Sequence, residues 1–167
     1  VTGVQTCALP ILPAAGVLHD KMLRSMAAHD AHAVFAPKAL AASHVHAIVM
    51  RTPLEAVGLF SSVASTFGNV GQANYAAANA HLDALASSLR RGGSLASSLQ
   101  IPAVSGAGMG ASTFGEAQLE VMGAISPDEF AACLSISIAL GRSGSEQTKV
   151  PLTPKLLSML ASHSLLN

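Results

Sequence analysis

Residues 56–93 read AVGLFSSVASTFGNVGQANYAAANAHLDALASSLRRGG, and this stretch decides the fold. It opens with a short apolar run, residues 56–61, between a proline turn and small polar residues, which favours a buried parallel strand. Residues 71–91 then predict a long helix, because they are rich in alanine, carry an apolar stripe and end at two glycines. A buried strand that leads into a long helix is the unit from which α/β folds are built.

The flanking sequence adds elements of the same kind. Residues 20–50 predict helix, which Pro37 is expected to divide into a short helix, a break and a longer helix. Residues 103–115 hold four glycines and predict a mobile loop. The other predicted elements are a strand at 95–101, a helix at 126–140, a short strand at 148–152 and a weak helix after Pro154. We therefore expect an α/β fold, a Rossmann-like parallel sheet with flanking helices, which is incomplete because it has only two or three strands.

The composition excludes several classes of function. Half of the residues are hydrophobic and 11% are charged, which is too apolar for a disordered chain. The formal net charge is zero and there is no basic stripe, so we expect no nucleic-acid partner and no membrane partner. Two widely separated cysteines, Cys7 and Cys133, suit a reducing compartment, and we expect a cytoplasmic protein.

The first residues stand apart from this pattern. Residues 1–11 read VTGVQTCALPI, and Pro10 and Pro13 bracket a very short apolar stretch there. We expect this segment to be non-native and exclude it from the fold. Residues 12–167 are then expected to form part of one domain.

Four polar residues occupy positions that suit chemistry, namely Lys38, Ser62, Tyr75 and Asn79. Ser62 lies at the carboxyl end of the first predicted strand, where ligands bind in open α/β sheets. Tyr75 is in the first turn of the long helix and shares a face with Asn79. Such a group could serve hydride transfer to a carbonyl, in which the oxygen must receive a proton.

The chemistry assigns a role to each of the four. A phenol such as Tyr75 can donate that proton, although its ordinary pKa of about 10 is high for this task, and we expect the Lys38 ammonium to lower it. The Ser62 hydroxyl would hydrogen-bond the developing oxyanion. Asn79 could orient Lys38 or hold a proton-relay water. Spacing alone leaves this assignment open, because serine and tyrosine at this separation are common.

Sequence segments around these residues resemble a known family. The segments are AAGVL (14–18), APK (36–38), LFSSVA (59–64) and GQANYAAAN (71–79). They resemble the ketoreductase domains of modular polyketide synthases, a branch of the short-chain dehydrogenases/reductases, over residues 12–110. Ordinary members of that superfamily place lysine four residues after the tyrosine. Here Asn79 holds that place and Lys38 lies upstream, the exchanged arrangement typical of the polyketide branch.

The resemblance implies a reaction, a cofactor and a partner. Tyr75 would be the proton donor, and Ser62 the oxyanion partner. Lys38 and Asn79 would support the tyrosine. The reaction would be NADPH-dependent reduction of a β-ketoacyl group, tethered through phosphopantetheine to an acyl carrier protein, beside other domains of the same synthase. The residues that the resemblance places near NADPH are Ala14, Ala15, Gly16, Lys38, Tyr75, Pro102 and Val104.

The resemblance also assigns the domain and the substrate side. Residues 12–167 would be the carboxy-terminal part of one short-chain dehydrogenase/reductase domain, with residues 103–125 as a lid over the substrate. The residues expected to face the substrate and control its stereochemistry are Asp20, Phe67, Asn74 and Met109. Leu18-His19-Asp20 resembles the Leu-Asp-Asp motif of the B-type class, with His19 in place of its first aspartate, which implies a D-configured 3-hydroxyl product.

The glycine-rich phosphate loop of such domains is missing from the sequence. No Gly-x-Gly-x-x-Gly turn precedes residue 14, so we expect residues 1–167 alone to be inactive or nearly so. Gly106, Gly108 and Gly110 follow the candidate site and are interpreted as part of a turn or lid.

Three other readings remain open. A non-catalytic structural subdomain of a synthase is opposed by the presence of all four polar residues, and an ordinary alcohol dehydrogenase is opposed by Asn79. A metal-binding module is suggested by two histidine pairs, 29/32 and 44/46, but neither has a cysteine or carboxylate at ligand spacing, so we expect no metal. His81 and Asp83 could be mistaken for part of a hydrolase site, and we interpret them as helix-surface groups.

Overall fold

The computed structural model describes residues 10–49 and 54–142. Within these ranges the chain forms a two-stranded parallel sheet with helices packed against it. The strand expected at 148–152, the helix expected after Pro154 and residues 1–9 lie outside the described residues. The architecture is the incomplete α/β arrangement that the strand and helix pattern predicts.

The first helix begins later than predicted. Residues 12–22 are irregular, a 3₁₀ turn follows at Leu23–Ser25, and helix α1 spans Ala28–Phe35. The Asp30 carboxylate fixes this start, because it accepts a hydrogen bond from the backbone N–H of Ala27 at 2.7 Å. The predicted start near residue 20 is therefore wrong.

Pro37 widens the helix without breaking it. A π-helical turn, Ala36–Leu40, connects α1 to helix α2, Ala41–Val49. The N–H of the residue after this turn donates to the carbonyl of its first residue, five positions back. The wider winding accommodates a proline, which has no N–H and clashes with the preceding turn of an α-helix. The expected break is thus a wide turn, and this turn carries Lys38.

The sheet consists of strands β1, Val57–Ser62, and β2, Ala96–Ile101. The strands run parallel in register, so that their first residues are opposite each other and their last residues are opposite each other. Between them lie a short helix α3, Ala64–Phe67, and the long helix α4, Ala73–Arg91. Both strands and α4 are confirmed to within two residues of their predicted bounds.

A further segment of chain pairs with the free edge of β1. Ile11 forms a parallel bridge with Val57. The N–H of Ile11 donates to the Ala56 carbonyl at 3.0 Å, and the N–H of Gly58 donates to the Ile11 carbonyl at 3.0 Å. The last residue of the segment that we excluded from the fold therefore lies against the sheet.

The segment after β2 contains two short helices, α5, Gly108–Thr113, and α6, Glu116–Val121. Helix α7, Pro127–Arg142, follows. The mobile loop expected at 103–115 is thus partly helical. Gly106 turns the chain toward α5 with a positive φ of 69°, a conformation that residues with a side chain rarely adopt.

The main core lies between α4 and one face of the sheet. Its buried members are Ala42, Val57, Leu59, Leu82, Ala86, Leu89 and Ala96. The next residue along β1, Phe60, points to the other face, where its ring meets the Phe130 ring of α7 edge to face at 5.8 Å. Helices therefore cover both faces of the sheet. No helix within the described ranges is long and apolar enough to cross a membrane.

Candidate active site

Lys38 is buried in the protein and points at the sheet. Its side chain leaves the π-helical turn, and its Nζ donates a hydrogen bond to the carbonyl oxygen of Phe60 at 2.8 Å, with 7% of the residue exposed. Burial lowers the pKa of Lys38 to about 8, because the ammonium loses its hydration, while the negative charge of Asp83 acts in the opposite direction. Lys38 is therefore mostly charged at neutral pH, although it lies inside the protein.

Tyr75 stands next to this ammonium at the start of α4. The Nζ of Lys38 lies 5.7 Å from the centroid of the Tyr75 ring. Burial raises the pKa of Tyr75, the side chains of Ser62 and Asn79 lower it, and the charge of Asp20 raises it. The expectation that Lys38 lowers the pKa of Tyr75 below its ordinary value is therefore wrong in its net direction, because burial dominates.

Ser62 and Asn79 complete the group around the phenol. Ser62 ends β1, and its Oγ accepts a hydrogen bond from the N–H of Ala64 at 3.2 Å. Asn79 is fully buried, and its Nδ2 donates to the Tyr75 carbonyl at 2.8 Å. Among the described residues its Oδ1 has no hydrogen-bond partner. The fold thus brings Lys38 and Ser62 to Tyr75 and Asn79 at the carboxyl end of β1.

Two of the residues expected at the cofactor, Gly16 and Pro102, lie near Lys38 and the carboxyl end of β2 respectively. A Cβ added to Gly16 would lie 3.7 Å from Nζ of Lys38 and 3.6 Å from Cε of Met109. Ala14 and Ala15, just before Gly16, are exposed. Pro102 is buried directly after β2, whose last residue pairs with Ser62. The small residues of this segment therefore leave space beside the ammonium.

The segment expected as a lid is closed at its base. Val104 forms a parallel bridge with Ile125. The N–H of Ile125 donates to the Ala103 carbonyl at 2.9 Å, and the N–H of Ser105 donates to the Ile125 carbonyl at 2.9 Å. Residues 106–124, which contain α5 and α6, therefore form a segment outside the sheet, and the two ends of this segment lie next to each other.

Two of the expected stereocontrol residues lie close to other residues of the candidate site. Asp20 is exposed, and its Oδ2 accepts a hydrogen bond from Nε2 of Gln72 at 2.9 Å, just before α4. Met109 approaches Gly16, as described above.

The other two are placed differently. Phe67, at the end of α3, is 50% exposed. Asn74 is buried and its amide is fully engaged, because Nδ2 donates to the carbonyls of His19 at 2.9 Å and Asp30 at 3.2 Å, while Oδ1 accepts from the N–H of Tyr75 at 2.8 Å. Asn74 therefore connects the chain before α1 to the start of α4.

Asp83 does not lie on the helix surface, where the sequence pattern places it. It is half-buried, and its carboxylate accepts hydrogen bonds from Ser65 at 2.7 Å, Ser98 at 2.5 Å and Gln100 at 2.9 Å. The interpretation as a helix-surface group is wrong, because polar side chains of β2 and α3 surround it. Its place eight residues after Tyr75, on the face shared with Asn79, is the signal that could have found it.

Two of the histidines have ordinary partners. His81 is half-buried rather than on the surface, and its Nε2 lies 3.1 Å from the Ser43 hydroxyl. Its ring meets Phe35 edge to face. His29 lies 3.3 Å from the Asp30 carboxylate. Across the described ranges, no three histidine, cysteine or acidic residues are grouped so that they could hold a metal ion.

Comparisons with known proteins identify the family. The family profile of the KR (ketoreductase) domain matches residues 9–106, which is more than half of the chain. Polyketide synthase GfsA of Streptomyces halstedii is 49% identical over 89 residues, which are 53% of this chain and 1% of that synthase. The 6-methylsalicylic acid synthase of Penicillium terrestre is 39% identical over 147 residues, which are 81% of this chain and 8% of that protein.

A solved structure shows the same fold. The first ketoreductase of the tylosin polyketide synthase is 31% identical and superimposes with a TM-score of 0.68, covering 89% of this chain and 37% of that one. The chain thus spans about a third of that ketoreductase and a few per cent of the synthases. On the match to the domain family, the relatives and the shared fold, this chain belongs to the ketoreductase domain family of polyketide synthases.

Proposed function

We propose that the chain is the catalytic part of a ketoreductase domain that reduces a β-ketoacyl thioester to the 3-hydroxyacyl thioester with NADPH. The observation that carries this proposal is the meeting of Tyr75, Ser62 and Lys38 at the carboxyl edge of the sheet. Such edges are the ligand sites of open α/β sheets. The match to ketoreductase domains of polyketide synthases supports this choice of substrate class.

Tyr75 acts as the acid in this reaction. As the ketone carbon gains hydride, the carbonyl π bond breaks toward oxygen, and the phenol gives its proton to that oxygen. Burial raises the pKa of Tyr75, so the phenol holds its proton at neutral pH, while the Ser62 and Asn79 side chains act in the opposite direction and favour release of that proton to the oxygen. The Ser62 hydroxyl, directed to the same position, donates a hydrogen bond to the oxygen as negative charge develops.

Lys38 has two roles beside Tyr75. Its positive charge favours the phenolate that remains after proton transfer, which then regains a proton from solvent. An ammonium has three N–H donors, and Phe60 accepts from one, so the others suit sugar hydroxyls.

The cofactor fits the space beside Lys38. Gly16 leaves a space that Lys38 and Met109 also line, and a side chain at position 16 would make this space smaller. Residues 14–16, Lys38 and Tyr75 would hold the nicotinamide and ribose end of NADPH, with Pro102 and Val104 beyond the end of β2. When bound, the nicotinamide supplies the hydride.

The substrate partner is an acyl carrier protein of the same synthase. The curated relatives are large synthases of which this chain matches a few per cent, so other domains surround the natural site. The bridge between Val104 and Ile125, which closes the segment 103–125 at its base, supports the proposal that this segment covers the thioester arm as a lid. We propose a cytoplasmic location for the synthase, and the B-type stereochemistry stays a prediction.

Assay of the full-length synthase that contains this chain tests the proposal. When the synthase is given a β-ketoacyl thioester, it should form the 3-hydroxyacyl thioester with NADPH, and much more slowly with NADH. The product is detected by mass spectrometry. A matched sample without nucleotide is the blank. Formation of the hydroxy product without nucleotide would contradict the proposal. The absence of hydroxy product with either nucleotide would also contradict it and would favour a non-catalytic structural subdomain.

A further inference from the structure

Asp30 is a buried carboxylate that the reaction does not use. It is 1% exposed and lies in the first turn of α1. Its carboxylate accepts hydrogen bonds from Nζ of Lys21 at 2.8 Å and from the backbone N–H of Ala27 at 2.7 Å, and it lies 2.8 Å from Nε2 of His19. A buried charge costs free energy unless partners offset the lost hydration, so these contacts determine where Asp30 can sit.

Two of the partners flank a single residue. His19 and Lys21 stand on either side of Asp20, whose own carboxylate faces away to accept from Gln72. Asn74 also connects this segment to α1, because its side-chain amide donates hydrogen bonds to the backbone carbonyls of His19 and Asp30. The Asp30 clamp, defined as Asp30 with His19 and Lys21, therefore holds the chain before and after Asp20.

The clamped segment is also fixed to the start of α4. The backbone N–H of Lys21 donates to the Gly71 carbonyl at 2.7 Å, in the turn that leads into the helix of Tyr75. A Cβ at Gly71 would lie 3.9 Å from Cβ of Asp20. The charge of Asp20 acts on the Tyr75 phenol. Residues 19–21 thus form one wall of the space in front of Tyr75.

The position of such a wall decides how a ketone can approach. In the proposed reaction Tyr75 is held by α4 and NADPH would offer its hydride from one side, so the face of the carbonyl that meets the hydride would depend on the side along which the acyl chain lies. A wall that moves by about an ångström can cost up to about a hundredfold in rate, because the reacting atoms lose their alignment.

We propose that Asp30 is a positioning residue, which holds the 19–21 segment against the start of α4 and thereby fixes how the ketone is presented to Tyr75. This inference rests on the proposed function. It differs from simple helix capping, for which the contact with Ala27 alone would suffice. A capping role lowers stability, whereas a positioning role also changes the segment's order and the choice of substrate face.

The test compares Asp30→Asn with Asp128→Asn in the full-length synthase. Asparagine keeps an acceptor for the Ala27 N–H but loses the charge that binds Lys21. Asp128 lies exposed at the start of α7 and is the matched control. Hydrogen exchange at the Lys21 amide, KM, kcat and the ratio of the two 3-hydroxy epimers are measured for each.

Asp30→Asn should speed exchange at the Lys21 amide by at least about tenfold while the amides within α4 stay protected. It should lower kcat/KM about tenfold and raise the share of the minor epimer, with Asp128→Asn unchanged. Unchanged exchange at Lys21, or faster exchange with the same epimer ratio and KM, would overturn the proposal. A wild-type synthase without ketone reduction would refute the proposed function, and exchange at Lys21 would then still decide whether Asp30 holds the segment.

Discussion

Replacing Asp83 separates two effects of one carboxylate, on the stability of the fold and on the charge of Lys38. Asp83→Ala removes the acceptor from the Ser98 hydroxyl and the Gln100 amide N–H, and both of these residues are buried. A buried donor without an acceptor costs about 1–3 kcal/mol. We expect the free energy of unfolding to fall by about 2–4 kcal/mol, with the Ser98 hydroxyl partly relieved by rotation.

Asp83→Asn isolates the electrostatic effect. Asparagine keeps the volume and one acceptor, so the loss of stability should be about half as large, roughly 1–2 kcal/mol. The substitution removes the negative charge that raises the pKa of Lys38, so the pKa falls below its present value of about 8. Because the proposed reaction uses the Lys38 ammonium, the loss of kcat/KM at high pH should begin at a lower pH in Asp83→Asn.

Urea unfolding and the pH profile of kcat/KM, measured on the intact ketoreductase domain, test both effects. Asp128→Asn is the control for a change of one charge, and neither quantity should move in it. A free energy of unfolding for Asp83→Ala within about 0.5 kcal/mol of wild type would refute the structural role. If kcat/KM of Asp83→Asn falls at the same high pH as that of the wild type, the electrostatic effect of Asp83 on Lys38 is refuted.

Three further substitutions test other parts of the structure. Lys38→Met should abolish ketone reduction yet raise the free energy of unfolding at pH 7 by about 1–3 kcal/mol, because burial lowers the pKa of Lys38 to about 8 and the folded protein disfavours its charge. Because the pKa of Lys38 is lower in the folded protein than in the unfolded chain, the free energy of unfolding of the wild type should rise with pH from about 8 to 10.5, the ordinary pKa of a lysine side chain. This rise should be absent in Lys38→Met. A Lys38→Met variant that is less stable than wild type at pH 7 would contradict the account. Leu59→Ala should cost about 2–5 kcal/mol in thermal or urea unfolding, since Leu59 is buried between the sheet and α4, and a cost below about 1 kcal/mol would place it outside the core. Gly16→Val should raise the dissociation constant of NADPH in a fluorescence titration without lowering the melting temperature, because the valine side chain fills the space beside Lys38 and Met109. An unchanged dissociation constant would mean that the cofactor binds elsewhere.

Local sequence signals predicted the strands and the long helix because their causes are local. The apolar run of β1 and the alanine-rich helix closed by two glycines need no distant partner to be recognised. Pro37 shows the limit of such rules. A proline predicts a disturbed helix, but whether the chain breaks or widens depends on what the turn packs against, here the sheet that Lys38 reaches.

The candidate site divides in the same way. Ser62, Tyr75 and Asn79 could be placed by their elements, whereas Lys38 could be assigned a role but no position, since only packing of the wide turn against α4 brings it close to Tyr75. Asp83 was wrongly assigned to the helix surface because two of its partners come from β2, whose register against β1 is not visible in the sequence. The pKa of Tyr75 was misjudged because the depth of burial depends on the whole fold.

The most direct test of the central claim, that Tyr75 is the acid of a ketoreductase site, is the substitution Tyr75→Phe in the full-length synthase. Removing one hydroxyl leaves the ring and its packing in place. Turnover of a β-ketoacyl thioester should fall by about a hundredfold or more, with the affinity for NADPH changed little. A Tyr75→Phe enzyme that reduces the ketone within a few-fold of the wild-type rate would contradict the account.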